Sequence, residues 1–199
     1  MDKISFAELW KKSGACLKNR WLPAIGVCLI ACAILGAAGS LAGFFLFPLT
    51  VGVMLYFLRQ NRNDKCSVCD IFEPFKQYWR MIWAELRVAI FIFLHFLMLI
   101  IPGYIAIYRY SLTYYIMLDE PALPVRDAMK KSRDMMYGHK MQMFGYSILL
   151  GLLAVIATTL TAGIALIWLV PFLGTFTANY YLAVKADYER KNPPAAPEN

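Results

Sequence analysis

The sequence has few charged residues and lacks a long polar segment. Only 17% of its 199 residues are Asp, Glu, Lys or Arg, whereas 60% are hydrophobic. A soluble domain of this size usually has about 25% charged and about 45–50% apolar residues. The composition therefore excludes an ordinary soluble protein, and the missing polar stretch argues against a second, soluble domain.

Motifs of common catalytic sites are also missing. The sequence contains no nucleotide-binding loop, no HExxH pair, no serine elbow and no paired carboxylates within an apolar stretch. We therefore expect no enzymatic activity and no cofactor. The lack of acids in the apolar stretches also argues against a proton-coupled transporter, since such proteins commonly use intramembrane carboxylates.

Cysteines are few, and their number is odd. Cys16, Cys28, Cys32, Cys66 and Cys69 are scattered between apolar and basic stretches, which argues against a disulfide framework. Cys66 and Cys69 have the CxxC spacing of zinc and redox sites. However, no second CxxC or nearby His pair completes four zinc ligands, and a thioredoxin-like context is missing. We predict no metal at this pair, unless two chains share one ion.

Long apolar runs dominate what is present. Residues 21–58 alone contain no charge, and about 18 apolar residues already suffice for a membrane-spanning helix. We predict an all-α integral membrane protein with six spans in three hairpins, whose first and last hairpins reverse at the glycine-rich residues 36–43 and near residues 161–163. The membrane domain covers residues 1–187, the spans are 21–38, 44–60, 86–102, 104–118, 141–160 and 164–184, and 188–199 form a polar, proline-rich, disordered tail.

The apolar stretch 88–118, which contains most of the third and fourth spans, has only 31 residues. Two helices of about 15 residues reach about 23 Å each, which is less than the roughly 30 Å hydrocarbon core of a bilayer. The alternative to two short or tilted spans is a re-entrant pair that turns at Pro102 and Gly103. A single span would place the following basic segment on the opposite side of the membrane.

Basic residues are concentrated in four segments. Residues 1–20, 59–87, 126–140 and 185–191 contain every Lys and Arg except Arg109, and the net charge is +7. Because positive residues collect on the cytoplasmic side of membrane proteins, we predict that all four segments and both termini are cytoplasmic. The charge also attracts anionic lipid headgroups. Nucleic acid is not an expected partner, since no recognition motif accompanies the charge.

Three amphipathic helices are predicted within the basic segments. Residues 1–20, 70–86 and 119–140 repeat apolar side chains at helical spacing, as helices that lie in the membrane interface do. Asp70 and Glu73 have the spacing of a capping box at the start of the second helix, although the usual cap is Ser or Thr.

Arg109 is isolated among residues that suit lipid. A lone Arg at the centre of a membrane helix costs about 3 kcal/mol, so it is a functional candidate. His95 precedes the turn at 102–103 by about as many residues as Arg109 follows it, which predicts similar depth in a hairpin. One interpretation is a small polar cavity that accepts an anion or a lipid phosphate, with Arg109, His95, Tyr108 and Tyr110 as speculative ligand-binding residues. The other is snorkelling, bonding to carbonyl groups and cation–π contact with Tyr108 or Tyr110.

A short pattern occurs twice in the sequence. Residues 11–13 match 130–132 as Lys-Lys-Ser, and a Pro-Gly-aromatic pattern in 48–58 matches 171–182. Membrane proteins often contain structural repeats. Matches this short in an apolar alphabet also arise by chance, so both interpretations stay open.

Three segments of the sequence resemble a bacterial family of multi-pass membrane proteins known as a domain of unknown function. They are FPLTVGVMLYFLRQNRNDKCSVCDIFEPF, IIPGYIAIYRYSLTYYIMLDEPALPVRDAMKKSRDMMYGHKMQMFGY and IALIWLVPFLGTFTANYY. The resemblance covers residues 10–183. It implies a protein of the bacterial inner membrane, similar to six-helix domains such as those fused to glycerophosphodiester phosphodiesterases. It implies no activity.

Two functions are favoured by these features, ahead of a membrane enzyme that acts on lipids, for which the nucleophile and metal motifs are missing. The first is a non-enzymatic module that organises lipid or partner proteins at the cytoplasmic membrane. The alternative is a small transporter or channel with an anion- or lipid-phosphate-accepting site near Arg109. The expected partners are membrane lipids, including anionic headgroups, and a membrane protein or a second copy of the chain. A polar cavity that connects Arg109 to one face would distinguish the two, because a dry, packed centre favours the module.

Overall fold

The computed structural model describes residues 5–18, 20–45, 47–62, 64, 67–98 and 100–192, with side chains except at 35–45, 98 and 100–103. Within these ranges the chain is helical and has no strand, which confirms the predicted all-α class. The α-helices are α1 Phe6–Leu17, α2 Trp21–Phe45, α3 Phe47–Asn61, α4 Tyr78–Met98, α5 Ile100–Tyr110, α6 Thr113–Asp119, α7 Val125–Met135, α8 Lys140–Leu160 and α9 Leu166–Lys191, and a 3₁₀ helix, Val68–Gln77, precedes α4.

Two of the described helices, α8 and α9, are long and apolar enough to cross a membrane. A third candidate is the pair formed by α1 and residues 21–34 of α2, if that pair, bent by 94°, is counted as one span. The described residues thus provide two or three candidate spans by length and composition, whereas the sequence predicts six.

The glycine-rich centre of the first apolar run does not end a helix. We expected a reversal within residues 36–43, but α2 continues to Phe45 and α3 begins at Phe47. Gly weakens a helix by only about 1 kcal/mol relative to Ala, so the surrounding Ala and Leu residues maintain it. Pro48 lies in the first turn of α3, where its missing N–H leaves no hydrogen bond unmade.

The region from Tyr78 to Asp119 also differs from the prediction. One helix, α4, combines most of the predicted second interfacial helix with most of the predicted span 86–102. The predicted span 104–118 is split between α5 and α6, with a break at Ser111 and Leu112. With 11 residues, α5 reaches about 17 Å, which is too short to cross a hydrocarbon core of about 30 Å.

The cap of the 3₁₀ helix is Ser67, three residues earlier than the predicted cap Asp70. The Ser67 hydroxyl accepts a hydrogen bond from the Cys69 N–H at 3.4 Å, and the Ser67 N–H donates to Asp70 Oδ2 at 2.9 Å. The capping box is therefore Ser67 and Asp70 rather than Asp70 and Glu73. Glu73 is instead engaged by the Arg59 guanidinium at 2.7 Å.

The predictions for the last third of the chain agree better with the structure. The amphipathic helix expected within 119–140 is α7, followed by Gly138 at φ 87°. The chain reverses between α8 and α9 at Ala162 and Gly163, whose φ angles are 49° and 93°. However, α9 extends to Lys191, so residues 188–191 are not part of a disordered tail. Residues 193–199 lie outside the described residues.

The core combines aromatic side chains from α3 and α9 with the apolar face of α1. Tyr56, Tyr180 and Tyr181 are almost fully buried. The ring of Phe6 on α1 lies 5.6 Å from that of Phe176, so α9 covers the apolar face of this helix. In contrast, large apolar side chains on the outer faces of α4 and α8 are exposed. Such an extensive exposed apolar surface suits contact with lipid.

Candidate functional site: a basic cavity beside Arg109

The four basic segments meet on one face of the molecule. Side-chain hydrogen bonds and ion pairs connect residues that are far apart in sequence. They are Gln60 to the Cys16 carbonyl at 3.3 Å, Arg62 to Asp119 at 2.7 Å, Arg80 to the Leu123 carbonyl at 2.5 Å and His139 to Asp187 at 3.1 Å. The ends of α1, α3, α6, α8 and α9, together with the start of α4, therefore form a common basic face.

A cavity of about 820 Å³ opens at this face between the ends of α5, α7, α8 and α9. Its charged lining consists of Arg109, Arg133, Lys140 and Lys191 and of the carboxylates Asp134 and Asp187. Cationic groups thus outnumber acids in the cavity, which we call the Arg109 cavity. Such a surplus favours an anionic ligand.

Arg109 is held in the last turn of α5. The Ser132 hydroxyl on α7 donates a hydrogen bond to the Arg109 carbonyl oxygen at 2.9 Å, which joins the two helix ends. The Arg109 Nε atom is buried and has no hydrogen-bond partner within the part of the chain that the structure describes. A helix C-terminus favours a cation because its carbonyl groups carry partial negative charge. Arg109 therefore lies beside the basic face, rather than at the centre of a span as the sequence suggested.

Both carboxylates of the cavity already have partners, among them Arg133 and Lys191 of the lining itself. Asp187 accepts hydrogen bonds from His139 at 3.1 Å, from Arg190 at 2.6 Å and from Lys191. Asp134 lies 3.6 Å from Arg133, with both side chains about half exposed.

Arg109 and Lys140 form no ion pair within the described residues. Lys140 is close enough to Arg109 and Arg133 for the like charges to interact unfavourably. A phosphate group between these three cations would relieve that repulsion. The planar guanidinium groups are suited to bidentate hydrogen bonds with its oxygens.

His95 does not line the Arg109 cavity. Its Nδ1 atom lies 2.7 Å from the Phe91 carbonyl oxygen of its own helix. Phe91 contacts Tyr110 at 6.1 Å and Phe96 contacts Tyr104 at 5.7 Å between ring centroids. These two contacts show that α4 and α5 run antiparallel, with Arg109 near the level of Phe91. His95 is offset from that level by about one helical turn. The similar depth expected for His95 and Arg109 is therefore wrong.

The two predicted tyrosines pack on either side of α5. The Tyr108 ring meets that of Phe144 edge-on at 5.8 Å. Tyr110 is 7% exposed and lines a smaller cavity of about 360 Å³, together with Arg126, Lys130 and Arg133 of α7. Arg133 lines both cavities, so the basic surface continues around α7 and meets aromatic side chains.

Asp119 is a structural residue that the sequence did not single out. Its Oδ2 atom accepts hydrogen bonds from Arg62 at 2.7 Å, Lys185 at 2.8 Å and Tyr181 at 2.6 Å, and the side chain is 4% exposed. Burial alone would raise the pKa of Asp119, but the bonds from Arg62, Lys185 and Tyr181 lower it below its ordinary value. This contact, which we call the Asp119 clasp, joins α3, α6 and α9.

The sequence contains one signal for the clasp. Asp119 ends a long apolar run and belongs to the Leu-Asp-Glu-Pro motif of the resemblance. Its partners, however, are 57 and 66 residues away along the chain, for Arg62 and Lys185 respectively. Only the fold brings them to the carboxylate.

No metal was predicted at the CxxC pair, and the structure describes only one of its two cysteines. Cys69 is exposed, and Cys66 lies outside the described residues. Among the residues whose placement is described, no group of three or more His, Cys, Asp or Glu side chains is arranged to hold a metal ion.

Comparison with known proteins identifies one family. A family described as "Protein of unknown function (DUF975)" matches residues 85–188, which extend from the middle of α4 to near the end of α9. No curated protein and no solved structure matches the chain. The matched residues include Asp119 and most of the Arg109 cavity. This agrees with the resemblance noted in the sequence to a family of unknown function.

Proposed function

Because the chain belongs to the DUF975 family, whose function is unknown, we propose its function from its own side chains. The protein is an integral membrane module that binds anionic, phosphate-bearing lipid headgroups at its basic face. By holding such lipids it organises lipid or partner proteins around it. It catalyses no reaction and uses no cofactor.

The proposed membrane arrangement has three hairpins and places the basic face in the cytoplasm. The middle hairpin, α4 and α5, is re-entrant, because α5 is too short to cross the bilayer. Besides α8 and α9, the 25-residue helix α2 would reach about 38 Å, more than a hydrocarbon core of about 30 Å. The joined ends of α1, α3, α6, α8 and α9 support three returns of the chain to one face. Because cations accumulate on the cytoplasmic side, both termini are cytoplasmic, and the resemblance suggests the inner membrane of a bacterium.

The main observation in support of the proposed function is the environment of Arg109. Arg109 lines a cavity of about 820 Å³ together with Arg133 and Lys140, and within the described residues it forms no ion pair. An anion in the cavity would compensate this charge, and its oxygens could accept hydrogen bonds from the guanidinium. A lipid phosphate and free inorganic phosphate share the required chemistry. The adjoining aromatic residues and the exposed apolar surface favour the lipid.

A transport role is the alternative, and the packing beside the cavity favours it less. The lining of the Arg109 cavity comes from helix ends at one face. A transporter would also need a path toward the other face. Tyr56, Phe57 and Tyr180, which are each 1% exposed, fill the interior between α3 and α9. We therefore propose lipid binding at one face in preference to transport.

Lipid binding by the purified protein tests this proposal. Binding of dioctanoyl phosphatidylglycerol, dioctanoyl phosphatidylcholine and inorganic phosphate is measured by native mass spectrometry in a neutral detergent. We expect phosphatidylglycerol to bind most tightly, and Arg109→Gln to weaken it about tenfold, because a hydrogen bond to a charged group contributes about 1.5–3 kcal/mol.

Arg87→Gln is the matched control, because it removes the same charge from an exposed position on α4. Equal binding of phosphatidylglycerol and phosphatidylcholine would contradict the proposal. So would equal affinities of the Arg109→Gln and Arg87→Gln proteins for phosphatidylglycerol. If the protein binds inorganic phosphate but does not bind phosphatidylglycerol, the result would favour the anion-transport alternative.

A further inference from the structure

A separate cavity of about 650 Å³ lies between α3, α4, α5 and α6. Its lining is almost entirely apolar and includes the aromatic side chains of Phe47, Phe93, Phe96, Tyr110 and Tyr114. The volume falls within the range of about 300–1,000 Å³ that is common for small-molecule sites. The function proposed above does not use this cavity.

Among the described residues that line the cavity, Glu85 of α4 is the single acidic side chain. The Tyr114 hydroxyl donates a hydrogen bond to Glu85 Oε2, which orients the carboxylate. Within the described ranges Glu85 has no ion-pair partner. It differs in this respect from Asp119, which lies 2.7 Å from Arg62 and 2.8 Å from Lys185. A carboxylate beside apolar walls is costly unless a cation or a hydrogen bond compensates its charge.

The aromatic side chains that surround Glu85 also attract cations. The rings of Phe47 and Tyr114 lie 4.9 Å apart at one wall, and Tyr110 forms another part of the lining. Aromatic faces attract cations by about 0.5–2 kcal/mol, and more strongly when water is excluded. An anion such as a fatty acid would be repelled by Glu85, and an uncharged acyl chain would leave the carboxylate without a counter-charge.

We propose that this cavity, which we call the Glu85 cavity, binds a lipophilic organic cation. The occupant is an aromatic or alkyl onium ion, whose apolar groups fill the cavity while its positive charge lies near Glu85. Phe93, which is 65% exposed, lies at the rim, so such a ligand can enter from the side. The site is independent of the Arg109 cavity and of its anionic ligand.

A matched pair of ions tests the proposal. Tetraphenylphosphonium and tetraphenylborate have the same shape and opposite charge, and their binding to the protein in a neutral detergent is measured by calorimetry. We expect the phosphonium to bind at least about tenfold more tightly than the borate. Glu85→Gln keeps an acceptor for the Tyr114 hydroxyl and is expected to weaken phosphonium binding about tenfold, which corresponds to about 1.4 kcal/mol.

Two further variants make the test specific. Glu8→Gln removes one negative charge from an exposed position on α1, outside both cavities, and is expected to leave phosphonium binding unchanged. Ala89→Phe adds a ring to the cavity wall while keeping the carboxylate, and is expected to abolish binding by filling the space. If Glu85→Gln reduces the yield of folded protein, Ala89→Phe decides the question.

Several outcomes would overturn the proposal. One is phosphonium binding to the Glu85→Gln protein within about twofold of wild type. Another is equal binding of the two ions, which would indicate an apolar groove for acyl chains. Retained phosphonium binding in Ala89→Phe would place the ion elsewhere. None of these results bears on phosphatidylglycerol binding by Arg109, so the two proposals fail separately.

Discussion

Three partly buried charged side chains fall into two groups according to their partners. Asp119 is fully engaged by Arg62, Lys185 and Tyr181 and joins three helices. Arg109 has a buried nitrogen without a partner among the described residues, and Glu85 has a hydrogen bond but no ion pair in that same part of the chain. Buried polar groups are normally satisfied. We interpret the first group as structural and the second as ligand-binding.

The Asp119→Asn variant tests the structural assignment. The change leaves Arg62 and Lys185 without their counter-charge, and breaking a fully buried pair costs about 3–5 kcal/mol. Because Arg62 and Lys185 side chains are 34% and 24% exposed, water screens them partly. We expect a loss of about 2 kcal/mol. Thermal unfolding in a neutral detergent at pH 7 measures the difference.

The difference in stability between the wild-type protein and Asp119→Asn should depend on pH. The folded-state pKa of Asp119 lies below the ordinary value of 3.8, so its stabilising contribution is present above that value and is lost as pH falls through the lowered pKa. The wild-type advantage over Asp119→Asn should therefore shrink below pH 4. Asp134→Asn is the control, since the Asp134–Arg133 pair is about half exposed and contributes little. An advantage that is absent at pH 7, or unchanged in acid, would contradict the clasp.

Sequence features identified Arg109 but not its neighbours. Its isolation among apolar residues was visible, and so was the amphipathic pattern of α7. That Arg133 and Lys140 lie beside Arg109 depends on how α7 folds back onto the end of α5, through the bond from Ser132. Sequence spacing cannot show this. The pairing with His95 failed because it assumed a symmetric hairpin, whereas the ring contact of Phe91 with Tyr110 sets another register.

At the level of helices, close packing depends on two glycines of the repeated pattern. A Cβ atom at Gly52 would lie 1.9 Å from the Ile71 carbonyl oxygen, so the missing side chain lets α3 touch the 3₁₀ helix. At Gly174 of α9 a Cβ atom would lie 2.5 Å from the ring of Phe57. Both copies of the pattern thus place a glycine at a helix contact. This is a packing reason for the similarity, whether or not it reflects a repeat.

Alanine substitutions at Gly52 and Gly174 should destabilise the protein to different extents. Overpacking usually costs about 1–3 kcal/mol. We expect Gly52→Ala to lie at or beyond the upper end, because a backbone carbonyl group cannot rotate away. Gly174→Ala should cost less, since the Phe57 ring can shift. Thermal unfolding and the yield of monodisperse protein measure both effects.

Gly145→Ala is the matched control, since nothing lies within 4 Å of the added atom. Alanine favours a helix over glycine by up to about 1 kcal/mol, so this variant should be neutral or slightly stabilised. A Gly52→Ala protein as stable as Gly145→Ala would show that α3 and the 3₁₀ helix are not in close contact.

The helices themselves were partly predictable. The amphipathic pattern of residues 119–140 predicted α7, and Thr161–Gly163 predicted the last reversal. Glycines misled the prediction within α2, because in an apolar run they permit a helix as readily as a turn. The start of the 3₁₀ helix was misplaced because Arg59, which engages Glu73, comes from another element.

For the whole molecule, the distribution of charge is the organising feature. Four basic segments, separated in sequence by apolar runs, are joined into one basic face by contacts such as Arg62 with Asp119 and His139 with Asp187. Large apolar side chains cover the outer surfaces of α4 and α8. Clustering of the basic segments on one face follows from the positive-inside tendency applied to the sequence. The number of helices that cross the bilayer does not, because α5 and α6 are too short to be counted by length.

The sidedness of the basic face is the most direct test of this account. Single cysteines are placed at Tyr137, which is 74% exposed beside the Arg109 cavity, and at the exposed Thr161 in the turn between α8 and α9. All five native cysteines are replaced by alanine, and intact cells are treated with a membrane-impermeant maleimide. The account predicts labelling at position 161 in intact cells, and at position 137 only after the membrane is permeabilised. Labelling at position 137 in intact cells would contradict a cytoplasmic basic face and, with it, the proposed lipid-binding module.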